Sequence, residues 1–270
     1  MSEELNFEQL LNDLQEKNSQ RALNIWIPSL NRGVKFKHLT LNQQKVLIKS
    51  SIRENLLKLD FSRNIYDIIV ENLIESDVDP ELLTVVDMIS IGLAFRAADI
   101  SEDYGFYIDE KFYPVDLNER CELVRTTDYT GIFDPDIILT DGYHVTIQPP
   151  TIKVDKEMND HLFEMHKDTP DDPELLRDML ADVYICEAAK YINRVEIISE
   201  GDDPDSPPVI IEFNNFTAEQ RLKVINQIPL TVLNKLVTIS DKVQDIESKL
   251  LDVDLEGETA SIELNSAFFT

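Results

Sequence analysis

Residues 25–40, IWIPSLNRGVKFKHLT, carry two short alternating apolar runs around a turn and lead straight into an amphipathic helix. Ile25 and Ile27 would share one face, Val34 and Phe36 alternate across the turn, and Asn31-Arg32-Gly33 supplies residues tolerant of a positive φ. The pattern predicts a β-hairpin. Thr40 stands where an N-cap is needed, and Leu41, Ile48, Ile52, Leu56 and Leu59 recur after it at about helical spacing. A ridge of this kind requires a partner to bury it.

Before the hairpin, Phe7, Leu10, Leu11 and Leu14 make one helical face, an arm or short helix. Beyond residue 59, Ile65, Ile68, Ile69 and Leu73 make another, and Asp79-Pro80-Glu81 reads as N-cap, N1 proline and first-turn acid for a helix over residues 82–95. Between residues 100 and 150 the pattern changes to aromatic and β-branched runs at 106–108, 137–139 and 143–147. Asp141-Gly142 signals a tight hairpin, and Pro149-Pro150 ends its second strand. Asp172-Pro173-Glu174 repeats the helix-start signal, followed by Leu176, Met179, Leu180 and Val183 on one face. Two strands, 195–199 and 208–213, flank the exposed loop 201–206. Thr217 and Gln220 form a capping box for a helix that Pro229 terminates, and the last long helix carries Leu236, Ile239, Val243, Ile246 and Leu250.

The expected architecture is α+β and mostly helical, with an N-terminal β-hairpin and a small central β-rich subdomain. Its segments are an arm, hairpin and helical lobe over 1–99, a β-rich insert over 100–158, a helical lobe with a short β-pair over 159–251, and an acidic tail over 252–270. The tail's composition predicts weak order, although Phe268 and Phe269 offer apolar side chains to a neighbour.

Charge limits the partners. The 52 acidic against 25 basic residues give a formal charge of −27, which opposes contact with nucleic-acid backbones or anionic membranes and favours basic protein faces. Cys121 and Cys186 form no CxxC pair, so neither a disulfide scaffold nor a zinc ribbon is indicated, and a reducing cytoplasm fits. No apolar run reaches the length of a membrane span, and no signal peptide is expected. Asn215-Phe216-Thr217 matches a glycosylation acceptor, but Thr217 is better explained as the helix cap.

Motifs for catalysis or metal binding fail on spacing. His161 and His166 are five apart and miss the i, i+4 geometry of a zinc helix. Asp77, Asp79 and Glu81 begin like a calcium loop, but Leu82 replaces the required glycine and Met88 the bidentate acid. Asp202, Asp203 and Asp205 would hold a cation loosely or form a solvated loop. There is no phosphate-cradling glycine motif, and seven glycines leave little room for one. A carboxylate pair stays open as an alternative, because 52 acids allow many pairs. Trp26 suits either an aromatic interface anchor or the core. Lys35, Lys37, Lys45 and Lys49 make a basic cluster, either a docking patch for an acidic partner or second copy, or a solvated face.

The hairpin-to-helix segment, with Ile27-Pro28-Ser29, Val34-Lys35-Phe36-Lys37 and Leu39-Thr40 leading to Gln43-Gln44-Lys45, resembles the start of T-even-type phage baseplate hub subunits. More distantly it resembles tail assembly chaperones. Three later pieces are similar in the same order: IGLAFRAADI at 91–100, EAAKYI at 187–192 and AEQRLKVINQIPLTVLNKL at 218–236. The chain departs from the family after Arg96, where Asp99-Ile100-Ser101-Glu102 replaces a Gly-Glu continuation and Cys121 stands alone, which argues against a metal-stabilised middle region. The resemblance implies a component or assembly factor of a contractile-tail baseplate, made in the host cytoplasm and resident in the virion. It implies contacts with other baseplate and tail proteins or with a copy of itself, and neither catalysis, cofactor nor small-molecule substrate. It further implies an interface on residues 25–59 led by Pro28, Val34, Phe36 and Lys37. The alternatives are a transient tail chaperone absent from the virion, an acidic metal-dependent enzyme and an acidic mimic of nucleic acid.

Overall fold

The computed structural model describes residues 21–50, 59–140, 142–166, 172–198 and 209–270, together with residues 7, 9, 10, 13 and 17. The chain is α+β, with eight α-helices and four antiparallel sheets among the described residues. Residues 7, 9, 10, 13 and 17 are helical with Phe7 and Leu10 exposed, whereas Leu11 and Leu14 lie outside the described residues.

The predicted first hairpin is present as β1 (Ala22–Ile27) paired with β2 (Arg32–Lys37). Its connection is a 3₁₀ turn over Pro28–Leu30 closed by Asn31 at φ 50, a left-handed conformation that asparagine tolerates better than most residues. At Gly33 a Cβ would lie 2.5 Å from the end of the Asn24 side chain on the facing strand, so a larger residue there would require that exposed side chain to move.

Helix α1 (Leu41–Ser50) starts on a reciprocal cap, in which the Gln43 N–H donates to Thr40 Oγ1 at 3.2 Å and the Thr40 N–H donates to Gln43 Oε1 at 2.9 Å. The predicted ridge is out of phase: Gln43 and Leu47 are buried, while Leu41 is 67% exposed. Gln43 sets that phase through a buried amide pair, its Nε2 donating to Asn72 Oδ1 at 3.0 Å on α2 (Leu59–Asn72). Ile52 and Leu56 lie outside the described residues.

Asp79-Pro80-Glu81 starts only the 3₁₀ turn Pro80–Leu82, and α3 (Val85–Asp99) begins later, on a capping box between Thr84 and Asp87. A local acceptor in front of a proline suits either kind of turn. The long helix starts where Thr84 also bridges Thr151. Val85, Val86, Ile89, Ile91, Leu93 and Phe95 are all buried, as are Asp87, Ser90 and Arg96, so α3 is enclosed on most of its faces.

The segment expected to be a β-rich insert contains a helix, and its second pair of strands joins a sheet completed by later parts of the chain. Strands β3 (Asp103–Ile108) and β4 (Lys111–Asp116) form a hairpin whose two-residue turn, Asp109-Glu110, has positive φ at both positions without a glycine. Asp116 then caps α4 (Leu117–Thr126). Strands β5 (Asp136–Thr140) and β6 (Tyr143–Ile147) come next; Gly142 at φ 93 lies in their turn, and Asp141 lies outside the described residues. After α5 (Ile152–Met165) and α6 (Pro173–Lys190), β7 (Ile192–Ile197) returns beside β6, and β8 (Val209–Glu212) completes the order β5-β6-β7-β8. The expected boundary at 158 therefore falls inside α5. Ile138, Val145 and Val195 occupy one register row and are buried, whereas Ile137, Leu139 and Ile210 point from exposed positions.

The capping box of Thr217 and Gln220 opens α7 (Ala218–Ile225), and Pro229 precedes α8 (Leu230–Leu251), whose predicted stripe of Leu236, Ile239, Val243, Ile246 and Leu250 is buried. The tail overturns expectation. Strands β9 (Asp252–Leu255) and β10 (Glu258–Ser261) pair around Glu256-Gly257, and a 3₁₀ turn at Ser266–Phe269 closes the chain. Its acidic residues point outward, while Val253, Leu255 and Ile262 are buried. Buried residues from all four expected segments belong to one contiguous core. No helix among the described residues is long and apolar enough to cross a membrane.

Candidate functional site

Most residues expected at an interface lie inside the molecule. Val34, Phe36, Phe268 and Phe269 are essentially inaccessible and Pro28 is buried, so the structure corrects their assignment as contact residues. The cause is geometric: Phe36 meets Phe95 of α3 edge-on at 6.1 Å, and Phe268 meets Tyr104 of β3 at 5.2 Å. Trp26 is partly buried against the core with the Arg125 guanidinium 5.8 Å from its ring centroid. Lys37 remains exposed, its ammonium 3.4 Å from the Glu71 carbonyl.

The hairpin, α3 and α7 are tied to the rest of the chain by polar links. Asp87, wholly buried, accepts from the Ser29 N–H at 2.9 Å and from the Thr84 N–H at 2.7 Å, joining the β1–β2 connection to α3. Asp99 accepts from the Leu39 N–H at 2.8 Å and contacts the His38 ring. Arg221 on α7, almost wholly buried, donates to the Ile192 carbonyl at 3.3 Å.

A cluster of ionisable groups, Asp155, Glu187, Lys190, Asp241 and Glu247, lines a cavity of about 530 Å³ between α6 and α8. Residues Leu180, Tyr184 and Glu187 of α6, and Val237, Asp241 and Gln244 of α8, follow i, i+4, i+7 spacing and give each helix one lining stripe. Leu180 and Tyr184 are each 55% exposed and Val237 40%, an apolar rim around the opening. The sequence grouped Leu180 with Met179 and Val183, but only Met179 of the three is buried.

On the inner wall, Lys190 places its ammonium 2.8 Å from Asp155 Oδ1, 2.9 Å from Asn159 Oδ1 and 2.5 Å from Glu187 Oε1. Three acceptors use the three N–H donors of a lysine. Burial opposes its charge, but the Asp155 and Glu187 carboxylates outweigh that effect and hold the ammonium above its ordinary range. Glu247 on α8 has the opposite situation. Burial and the like charges of Asp155 and Glu187 push its carboxyl up to about 7 against the lesser pull of Lys190. Among the described residues neither Glu247 nor Asp241 has an ion-pair or hydrogen-bond partner.

The raised Glu247 carboxyl makes stability depend on pH. The unfolded chain loses this proton near 4.5 and the folded chain near 7, so folding takes up a proton between those values. Stability from this group therefore falls as pH rises through that window. Glu247→Gln is expected to flatten that part of the urea-unfolding profile and to leave the variant more stable than the parent at pH 8. An unchanged profile would contradict the assignment.

Other candidate groups separate. Asp77 pairs with Arg32 at 2.9 Å, Asp79 accepts from the Glu81 N–H, and Glu81 pairs with Lys153 at 2.6 Å, so these three acids hold three different partners. His166 meets Asp182 at 3.0 Å, while His161 lies within α5. Burial pushes the Cys121 and Cys186 thiols up to about 11 and about 12, making both poor nucleophiles. Asp202, Asp203 and Asp205 lie outside the described residues. Among the described residues no group of three or more His, Cys, Asp or Glu side chains is arranged to hold a metal ion. No protein-family model, curated protein or solved structure matches the chain.

The sequence pointed to neither Glu247 nor the groove. Lys190 stood inside EAAKYI, where a lone lysine one turn after a glutamate reads as a surface pair. The sequence carried no separate signal for the groove, because the spacing puts Leu180 on the same face as Leu176, Met179 and Val183 and only the fold leaves it exposed.

Proposed function

We propose that the protein is a structural component or assembly factor of a contractile phage-tail baseplate, acting through protein contacts, not catalysis. The observation that carries this reading is the groove between α6 and α8, with an exposed apolar rim around unpaired carboxyls. Large apolar side chains gathered in the open at one cleft are a common mark of a protein contact site, although here the carboxyls lie inside the apolar rim and not around it. The four ordered segments resembling baseplate hub subunits support a contact within a tail. The formal charge of −27 keeps a free subunit soluble and speeds its encounter with basic faces.

Mass spectrometry of purified virions, beside a pull-down from infected cells, tests the reading. The expected result is the chain in virions and baseplate proteins in the pull-down. Recovery with baseplate intermediates but absence from virions would indicate the chaperone role. Absence from both, with normal tails when the gene is deleted, would refute the proposal.

A further inference from the structure

We infer that the groove between α6 and α8 receives a basic amphipathic helix of a partner protein, with one lysine or arginine side chain reaching Glu247 and apolar residues resting on Leu180, Tyr184 and Val237. This inference deepens the assembly reading and rests on it.

Charge decides the sign of the occupant. The lining holds four carboxyls, Asp155, Glu187, Asp241 and Glu247, against the single ammonium of Lys190. Lys190 is saturated by Asp155, Asn159 and Glu187, so among the described residues Asp241 and Glu247 have no ion pair or hydrogen bond, and Glu247 feels Lys190 only as a lesser pull. Burial first, and then the like charges of Asp155 and Glu187, favour protonated Glu247; a guanidinium or ammonium entering the cavity would counter the second, whereas an anionic group would add to it. Shape decides the rest. Val237 and Glu247 are separated by about 15 Å of helix at 1.5 Å per residue, a length that about three turns of a partner helix would cover. Two lining helices present a trough that a third packs into by ridges and grooves. A long basic side chain carries its charge on an apolar stem, which matches an apolar rim over an acidic wall.

Calorimetric titration of the full chain with three synthetic helices and spermidine tests the inference. The first peptide has leucine and lysine in amphipathic spacing, the second leucine and glutamate, and the third alanine and lysine. The leucine–lysine helix is expected to bind tightest. The double variant Asp241→Asn/Glu247→Gln is expected to weaken it roughly tenfold or more, because it removes the unpaired charges at the contact. The double variant Glu122→Gln/Glu258→Gln, with the same net charge but altered outside the groove, is expected to change binding by less than about twofold, as charges at a rim or beyond do. Circular dichroism confirms the fold of each variant.

Equal losses in the two double variants, or equal binding of spermidine or the alanine–lysine helix, would show bulk charge attraction and overturn the inference. So would wild-type incorporation of Asp241→Asn/Glu247→Gln into baseplates, an outcome that leaves the assembly role standing. Absence of the parent chain from virions and intermediates, despite groove-dependent peptide binding, would instead overturn the assembly role alone.

Discussion

Lys190→Met is expected to cost about 3–5 kcal/mol of folding stability, the range for removing one partner of a buried ion pair and stranding the other. The side chains of Lys190 and Asp155 are 3% and 13% exposed, so the loss falls mainly on that pair. Glu187, half exposed at 50%, is screened by water and contributes less. After the substitution, Asp155 would keep the Asn159 Nδ2 donor at 3.0 Å but no cation among its present partners. Adding Asp155→Asn is expected to recover most of the loss, because the stranded charge disappears. Lys223→Met provides the contrast: its partner Glu219 is 2.7 Å away, yet both side chains are exposed, and the change should stay within about 0.5 kcal/mol. Urea denaturation of the four proteins reads these differences directly. A loss below about 1 kcal/mol for Lys190→Met would mean that the lysine behaves as a surface residue.

Local chemistry was legible in the sequence wherever a single turn decides the outcome. Thr40 with Gln43, Asp172 with Glu174 beyond the N1 proline, and Thr217 with Gln220 all cap the helices they precede, because the acceptor and the donor lie within three residues. Asp79-Pro80-Glu81 misled for the same reason: an aspartate can accept from the second following N–H in a 3₁₀ turn as readily as in a helix. The helix beyond that turn depends on Thr84, whose bridge to Thr151 joins elements far apart in sequence. The tail misled by composition. Acids at Asp252, Asp254 and Glu258 obscured the alternation of Val253 and Leu255, and Glu256-Gly257 supplied the two positive-φ positions of a tight turn.

The site was less legible than the fold because four separate elements line it. Val85 and Met88 come from α3, Asp155 from α5, and the facing stripes from α6 and α8. Each residue alone reads as core or as one acid among 52. Residues of the segment 25–40, α6 and α7 that the sequence singled out became internal supports: Ser29 serves Asp87, Leu39 serves Asp99, Lys190 serves Asp155, and Arg221 serves the Ile192 carbonyl.

The two terminal phenylalanines separate these roles by experiment. Phe268→Ala and Phe269→Ala are each expected to cost about 3–5 kcal/mol, the range for emptying a fully buried aromatic site. Both rings are enclosed, and they meet edge-on at 5.2 Å. The Gln44 Nε2 donates to the Phe269 carbonyl at 3.1 Å, so the chain end also fastens α1. Because the rings touch, the double variant should lose less than the sum of the singles, the second cavity opening beside a site already relaxed. Side chains held in reserve for a neighbour would behave otherwise, each single substitution shifting stability by no more than about 0.5 kcal/mol while weakening association. Leu180→Ala supplies that second pattern for comparison, since its side chain lies on the exposed rim of the groove. Thermal unfolding and recovery of the proposed partners, measured on the same variants, would therefore move in opposite order: large stability losses at Phe268 and Phe269, and the larger loss of partner capture at Leu180.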